Sequence, residues 1–85
     1  MKSEVVERVS EPIRVLASFS ESAIKIHFFH WRERIYKIER MNLFHIERNG
    51  DTKLYRFAVS VKGNSYELSY NPINLEWRLE EVVSL

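Results

Sequence analysis

The sequence predicts an all-β fold: an antiparallel meander of five or six strands that forms a small half-open SH3-like barrel or a strongly bent sheet. Three observations lead to this prediction. Apolar and polar residues alternate with a period of two over residues 42–79, which is typical of strands with one buried face. Turn-forming residues interrupt this alternation at short intervals. The chain has 85 residues, the length of one small domain, so we expect residues 1–85 to form a single unit.

The first hairpin is predicted from Asn49 and Gly50, because both residues tolerate a positive φ in a tight turn. A turn over 49–52 places Phe44 opposite Phe57. Both side chains then lie on the same face of the sheet, which is the arrangement expected of a buried face.

A second hairpin is predicted from Gly63 and Asn64, read as a two-residue loop with glycine in its first position. This loop places Phe57 opposite Tyr70. Phe57 therefore faces an aromatic residue on each side, and the second hairpin buries the same face as the first.

The third hairpin turns over 71–74 and places Leu68 opposite Trp77 on the buried face. On the polar face it places Glu67 opposite Arg78, a stabilising cross-strand pair. Agreement between three independent turns is the main support for the fold. We expect these residues to be buried: Phe57, Val59, Leu68 and Trp77. The predicted strands are 13–19, 23–31, 35–48 with a bend, 53–62, 65–71 and 75–80.

The segments 23–31 and 35–48 are predicted to pair through the charged turn 32–34, with Tyr36 opposite His30. The apolar residues at alternate positions are expected to face inward, while Lys25, His27, Phe29 and Trp31 face outward. The inward residues are Ile24, Ile26, Phe28 and Ile38.

An unbroken alternation through the strand 35–48 would bury Arg40 and Asn42. We therefore expect a bulge or sharp bend over 40–43, which also allows one long strand to serve two sheets. The strand at 13–19 follows Pro12, a position that proline tolerates. The first nine residues suit either a helical turn or a strand.

Short motifs of large residues recur over roughly residues 12–83. They are Pro12-Ile13-Arg14-Val15, His30-Trp31-Arg32-Glu33-Arg34, Tyr36-Lys37-Ile38, Tyr55-Arg56-Phe57-Ala58-Val59, Tyr66-Glu67-Leu68 and Trp77-Arg78-Leu79. Their spacing resembles a small family of uncharacterised bacterial domains that are sometimes encoded near genes of mutagenic DNA repair. That family tends to have Gly where Glu33 stands and Trp where Phe44 stands. Because the family has no established activity, the resemblance implies a fold and a bacterial source but no mechanism.

Composition excludes several classes of protein. The absence of cysteine removes disulfide scaffolds, thiolate metal sites and cysteine nucleophiles. Two glycines are too few for a glycine-rich phosphate loop. No apolar run approaches the roughly 20 residues of a membrane helix, and Glu4 stands where a signal peptide is apolar. We therefore expect a cytoplasmic protein that does not bind a membrane.

The histidines and serines do not predict a catalytic or metal site. His27 and His30 are three residues apart, and on a regular strand this spacing points them to opposite faces. No carboxylate at a clear spacing accompanies His45. No serine lies in a Gly-x-Ser-x-Gly motif. We expect a protein that is not an enzyme and that has no metal or cofactor.

The net charge of +1 is unevenly distributed along the chain. Residues 25–40 carry five basic and two acidic side chains, interleaved with aromatic rings. Rings on which bases stack, together with cations that contact phosphates, are typical of surfaces that bind single-stranded nucleic acid. We therefore predict a nucleic-acid-binding site that consists of Lys25, Phe29, Trp31, Arg32, Arg34 and Lys37.

Two alternatives remain open for this segment. The N-terminal segment can cover Phe29 and Trp31, which then belong to the core. The patch can also contact a protein partner, because exposed tryptophan and arginine are common interface anchors. The alternative function is therefore a protein–protein interaction or assembly module. An exposed edge strand at 13–19 could also pair with its own copy in a homodimer.

Overall fold

The computed structural model describes residues 4–84, which form seven β-strands. They are β1 (Val5–Phe19), β2 (Ile24–Trp31), β3 (Arg34–Lys37), β4 (Arg40–Asn49), β5 (Thr52–Val61), β6 (Asn64–Asn71) and β7 (Glu76–Ser84). Every pairing is antiparallel and the spatial order is β3-β2-β1-β7-β6-β5-β4, so the predicted all-β class is confirmed. Residues 5–9 belong to β1, whereas residues 1–3 lie outside the described part. Within residues 4–84, no helix could span a membrane.

The long strand β1 folds the sheet into two layers. Its N-terminal half pairs with β7 as far as Ile13, and its C-terminal half pairs with β2 from Arg14 onwards. We call the N-terminal half with β7, β6, β5 and β4 the five-stranded layer. The C-terminal half with β2 and β3 is the three-stranded layer. The register of β1 also shifts between Arg8 and Glu11, where Ser10 has a φ of 51°, and such a bulge bends a strand.

The three-stranded layer covers one face of the five-stranded layer, and the core lies between them. The ring of Phe29 in β2 lies 5.4 Å from that of Tyr66 in β6, centroid to centroid. Phe57, Val59 and Leu68 are buried as predicted, whereas Trp77 is only half-buried because it is the second residue of β7, at the rim of the layer. The buried apolar residues are Ile26, Phe29, Phe57, Val59, Val61, Tyr66, Leu68, Tyr70, Leu79 and Val82.

The sheet is strongly bent but not closed, so the expectation of an SH3-like barrel is corrected. Its edges are β3 and β4, and no ladder joins them in the part of the chain that the structure describes. The backbone between them changes partner instead. The N–H of Ile38 donates to the carbonyl of His27 at 3.1 Å, and the N–H of Glu39 donates to that of Ser60 at 3.0 Å. In a closed barrel, backbone hydrogen bonds would join β3 to β4. Here the two strands are connected only by the chain itself, through residues 38–39.

The predicted strand 35–48 is two strands, β3 and β4, and this break gives seven strands instead of the predicted five or six. The bulge expected over 40–43 is confirmed, because the register shifts between Met41 and Leu43. The amide of the intervening Asn42 donates to the hydroxyl of Ser60 at 2.6 Å. Because of the bulge, Asn42 is exposed instead of buried in the face that the alternation would give it.

The edge strand expected at 13–19 is not an edge of the sheet, because the strand order places β1 between β2 and β7. Residues Arg14 to Phe19 form a ladder with β2. The free edges are β3, with four residues, and β4, with ten.

The second predicted hairpin register is wrong by two residues, although the first is confirmed. The second turn consists of Lys62 and Gly63, which have φ values of 48° and 83°. Phe57 therefore lies opposite Leu68 rather than Tyr70. Lys62 adopts the left-handed conformation, which is uncommon for a residue other than glycine, asparagine or aspartate and which its residue type does not predict.

The third register is also displaced by two residues. The loop spans 72–75, so Arg78 lies opposite Ser69 and Glu67 lies opposite Glu81 across a further bulge. The predicted pair of Glu67 with Arg78 is therefore wrong. A slip of two residues leaves every side chain on its predicted face, because strand side chains alternate with a period of two.

The turn between β2 and β3 is shorter than predicted, and here the slip is a single residue. Arg32 and Glu33 alone form the turn, with φ values of 47° and 65°. Tyr36 consequently lies opposite Phe29 instead of His30. A slip of one residue exchanges the faces of a strand, and the expectation that Phe29 points outward is wrong for this reason.

Candidate nucleic-acid interface

A bulge in β2 determines which side chains of the three-stranded layer face outward. The ladder passes from Leu16 opposite Phe28 to a pair that contains Ile26, so His27 has no partner in it. The unpaired residue resets the alternation, and both Ile26 and Phe29 point into the core although they are three residues apart. Phe28 therefore points outward, the reverse of the prediction from the sequence.

The outward side chains form rows that run across the three strands. Directly opposite residues of a sheet share a face, so the pairings identify the members of each row. One row is Arg14, His30 and Ile35, the next is Leu16, Phe28 and Lys37, and Ser18 with Lys25 lies beyond it. We call these eight residues, together with the bulged His27, the outer basic face.

The outer basic face carries positive charge, and none of its own members is a carboxylate. The three basic members, Arg14, Lys25 and Lys37, are all exposed. Within residues 4–84, none of the three forms an ion pair. Their charge is therefore directed at solvent, where it attracts anionic ligands.

Apolar side chains lie among these cations. Phe28 is half-buried and has Leu16 and Lys37 as its cross-strand neighbours. Leu16 and Ile35 are more than half exposed, at 52% and 68%. A shallow depression of about 380 Å³ runs beside Phe28, and its lining includes Lys25, His27, Ile35 and Lys37. The surface thus combines one aromatic ring and two aliphatic side chains with cations on either side.

His27 and His30 lie on the same face, so the expectation that they point to opposite faces is wrong. The bulge at His27 removes one step of the alternation. A hydrogen bond of 2.6 Å joins the Nε2 of His27 to the Oγ of Ser18 and fixes the ring across the β1–β2 ladder. Among residues 4–84, no three metal-ligating side chains come together in a group that could hold an ion. Two histidines alone do not complete a zinc site.

Two of the six predicted site residues lie on the inner side of the three-stranded layer. Phe29 is 0% exposed and stacks on Tyr36, so it cannot stack on a base. Trp31 is half-buried and packs against the core. Its indole N–H donates to the Oε1 of Glu11 at 2.9 Å, and this bond ties it to β1. The open alternative, in which the N-terminal strand covers these rings, holds for Trp31.

Arg32 is also bound by Glu11. Its Nη2 and Nε donate to the two carboxylate oxygens at 2.6 and 3.3 Å, and its guanidinium lies 4.5 Å from the centroid of the Trp31 ring. The Arg32 guanidinium and the Trp31 N–H lower the pKa of Glu11, and Glu11 in turn raises the pKa of Arg32. The charge of Arg32 is therefore compensated locally, unlike the charges of the outer basic face.

Arg34 lies apart from the outer basic face. It pairs with Trp31, on the side of β3 opposite to Lys37. It lines a cleft of about 820 Å³ between β3 and the β5–β6 turn, together with Lys37, Lys62 and Tyr66. Of the six predicted residues, Lys25 and Lys37 are the two that the fold brings together on the outer basic face.

Sequence reasoning missed Arg14, Phe28 and His30 as members of the surface. Strict alternation over 24–31 fits two phases, and the bulge carries no glycine or proline to reveal it. The available signal was the adjacent pair Phe28 and Phe29, because two successive large rings cannot both belong to one face of a regular strand.

Comparisons with family models, with curated proteins and with solved structures found no match to this chain. The resemblance to the bacterial family therefore stays a prediction. The arguments for function come from the geometry and charge of residues 4–84.

Proposed function

We propose that this protein is a small β module that binds single-stranded nucleic acid on its outer basic face, without enzymatic activity. The observation that carries the proposal is the row Leu16, Phe28 and Lys37, flanked by Arg14 and Lys25 on a face that has no carboxylate. The proposal keeps the binding function predicted from the sequence, but moves the site from the turn at 32–34 to the middle of the three-stranded layer.

The two kinds of side chain have different roles in the proposed interaction. Phe28 offers a ring on which a base stacks, and stacking of this kind contributes about 1–3 kcal/mol per base. Arg14, Lys25 and Lys37 contact phosphates, which positions the strand without reading its sequence. A single available ring supports weak binding with little preference between bases.

The salt dependence of binding tests the role of the cations. Three phosphate contacts predict a slope of log K against log salt of about −2, since each contact contributes about 0.7 for single strands. The measurement is fluorescence anisotropy of a labelled oligothymidine at several salt concentrations. Replacing Lys25 and Lys37 together by alanine should lower affinity and flatten the slope to about −0.7.

A matched double variant controls for net charge. Arg48→Ala with Lys53→Ala removes two cations from paired positions in β4 and β5, away from the outer basic face. This control should leave the slope close to that of the natural protein. If both double variants flatten the slope equally, or if the natural protein does not bind at low salt, the proposal is wrong.

A protein–protein interaction or assembly module is the second candidate function. The observation that favours it is the edge strand β4, whose ten residues are all exposed and include several large apolar side chains. Since β4 belongs to the five-stranded layer and the outer basic face to the three-stranded layer, this role is compatible with nucleic-acid binding and is tested separately.

A further inference from the structure

The edge strand β4 leaves apolar side chains and backbone groups uncovered. Leu43, Phe44 and Ile46 are 55%, 44% and 45% exposed. Phe44 contacts Phe57 and Tyr55 on the inner face, with ring centroids 5.1 and 5.9 Å apart, and it also lines a small cavity with Ser22 and Met41. Within residues 4–84, β4 pairs with β5 alone, so one side of its backbone has no strand partner.

Natural edge strands usually carry features that block further pairing, such as proline, lysine, short length or a bulge. β4 contains neither proline nor lysine, and its bulge lies near its start, at Asn42. Residues 43–49 remain as a regular ladder of seven residues. The other edge, β3, has four residues and carries a cation at each end, Arg34 and Lys37. β4 is therefore the edge that can accept another strand.

The turn after β4 fixes which backbone groups point to the free side. Gly50 and Asp51 form a two-residue turn, so the flanking pair Asn49 and Thr52 is hydrogen-bonded. Antiparallel pairs alternate between hydrogen-bonded and non-hydrogen-bonded. Starting with the residue directly before Asn49, every second residue of β4 therefore directs its N–H and C=O away from β5. These residues are Phe44, Ile46 and Arg48.

We propose that a second copy of this chain pairs with β4, antiparallel and symmetric about Ile46. Ile46 is the midpoint of the regular segment 43–49, so this register gives the longest ladder that avoids the bulge. Each Ile46 then lies opposite its copy, and about six backbone hydrogen bonds form through the outward-pointing groups. Pairing joins the two five-stranded layers into one continuous sheet.

Side-chain complementarity favours a second copy as the occupant. On the outer side of β4, His45 lies opposite Glu47 of the second copy, and the symmetry repeats this favourable contact. On the inner side, Phe44 lies opposite Arg48 of the second copy, where a guanidinium can cover the exposed part of the ring. The register thus pairs both charged residues of segment 43–49 and covers the exposed apolar groups.

Alternative symmetric registers are less favourable. Symmetry about His45 places Leu43 opposite Glu47 of the second copy, which leaves the carboxylate against an aliphatic side chain. Symmetry about Phe44 brings the bulge at Asn42 into the ladder. It also places the interface near Ser22, which lines a cavity of about 150 Å³ with Met41 and Phe44.

The first experiment measures the oligomeric state by sedimentation velocity over a range of concentrations. The natural chain should reach twice its mass of 10.2 kDa as concentration rises, and Ile46→Lys should stay monomeric. Ile35→Lys, which alters a 68% exposed residue on the other edge, is the matched control and should dimerise like the natural chain. A natural chain that stays monomeric at millimolar concentration, or an Ile46→Lys variant that dimerises as well, overturns the proposal.

The second experiment identifies the register by disulfide formation. The chain has no cysteine, so each single-cysteine variant reports on one position. Ile46→Cys should form an intermolecular disulfide fastest, because residues opposite each other in a hydrogen-bonded pair have Cα atoms about 5.5 Å apart. His45→Cys tests the next register, and Ile73→Cys, at an 84% exposed position in the β6–β7 loop, reports random collision. Faster coupling at His45 or Ile73 than at Ile46 overturns this register.

Discussion

Phe29 stacks face to face on Tyr36, with ring centroids 4.8 Å apart and 6° between the ring planes. The two residues lie directly opposite each other in the β2–β3 ladder. Their contact occupies the inner side of the three-stranded layer and therefore directs Phe28, the preceding residue, to the outer side. Which residues form the candidate interface therefore depends on whether Phe28 or Phe29 points outward.

The contrast between the two adjacent phenylalanines can be measured directly. Phe29→Ala should lower the free energy of unfolding by about 3–5 kcal/mol, because it leaves a cavity between the layers. Phe28→Ala removes a half-buried ring from the outer face and should cost less than half as much. Urea unfolding of both variants checks this prediction, and equal losses would contradict the assignment of faces.

The turn between β2 and β3 should be stabilised by glycine. Glu33 has a φ of 65°, in the left-handed region that costs a residue with a Cβ about 1–2 kcal/mol. Glu33→Gly removes this strain but adds freedom to the unfolded chain, for a net gain of about 0.5–1 kcal/mol. Thermal unfolding should show a Tm higher by about 2–8 °C.

Gly63→Ala is the matched control for that prediction. Gly63 has a φ of 83°, and a Cβ added there meets no atom within 4 Å, so backbone strain alone should act. This variant should lower the Tm. A Glu33→Gly protein with an unchanged or lower Tm would show that the turn does not hold Glu33 in a strained conformation.

Glu67 should make stability depend on pH. Burial raises the pKa of Glu67 above its ordinary value of 4.5, and the carboxyl group of Glu81, which lies opposite it in the β6–β7 ladder, raises this pKa further. The folded state therefore holds the proton of Glu67 more tightly than the unfolded state does. The resulting stabilisation is fully present below about pH 4.5 and is lost as the pH rises through the raised pKa.

Glu67→Gln should consequently be more stable than the natural chain at pH 7, and the difference should shrink towards pH 4. Chemical unfolding at a series of pH values measures the effect. In a Glu81→Gln background, Glu67→Gln should increase the free energy of unfolding by less, because the negative charge of Glu81 is already absent. An equal gain in both backgrounds would disprove the coupling between the two carboxyl groups.

Releasing Arg32 from Glu11 should strengthen binding of a polyanion. Glu11→Gln removes the carboxylate that holds the guanidinium at 2.6 Å, and it also removes a negative charge from a pocket that Arg14 and His30 line. Affinity for an oligonucleotide should rise, and the salt slope should steepen by up to about 0.7, the value for one additional phosphate contact. Anisotropy titrations of the two proteins test this, and weaker binding by the variant would count against a binding surface near β1 and β2.

The sequence sufficed for the fold class and for the faces of β5, β6 and β7. A period of two survives a slip of two residues, so Phe57, Val59 and Leu68 were correctly predicted as buried although two registers were displaced. The bulge near Asn42 was also predictable, because the alternation would otherwise bury polar residues. Apolar patterning determines faces more firmly than it determines registers.

The candidate site was predicted less well, for two local reasons. Arg32 and Glu33 both adopt a positive φ, a conformation that neither residue type predicts. The turn is therefore one residue shorter than the predicted turn 32–34. The bulge at His27 reversed the phase of β2 without any glycine to mark it. Lys25 and Lys37 lie on the outer face as predicted, whereas Phe29 is buried and Trp31 is half-buried on the inner side.

The most direct test of the central proposal is a map of the surface that an oligonucleotide contacts, by ¹⁵N–¹H correlation spectra of the natural chain titrated with oligothymidine at low salt. We expect the largest shift changes within 14–18, 25–30 and 35–37, and we expect Phe28→Ala to abolish most of them. Changes concentrated on β4, β5 or β6 instead, or a spectrum that does not change at all, would contradict the assignment of the outer basic face as a nucleic-acid interface.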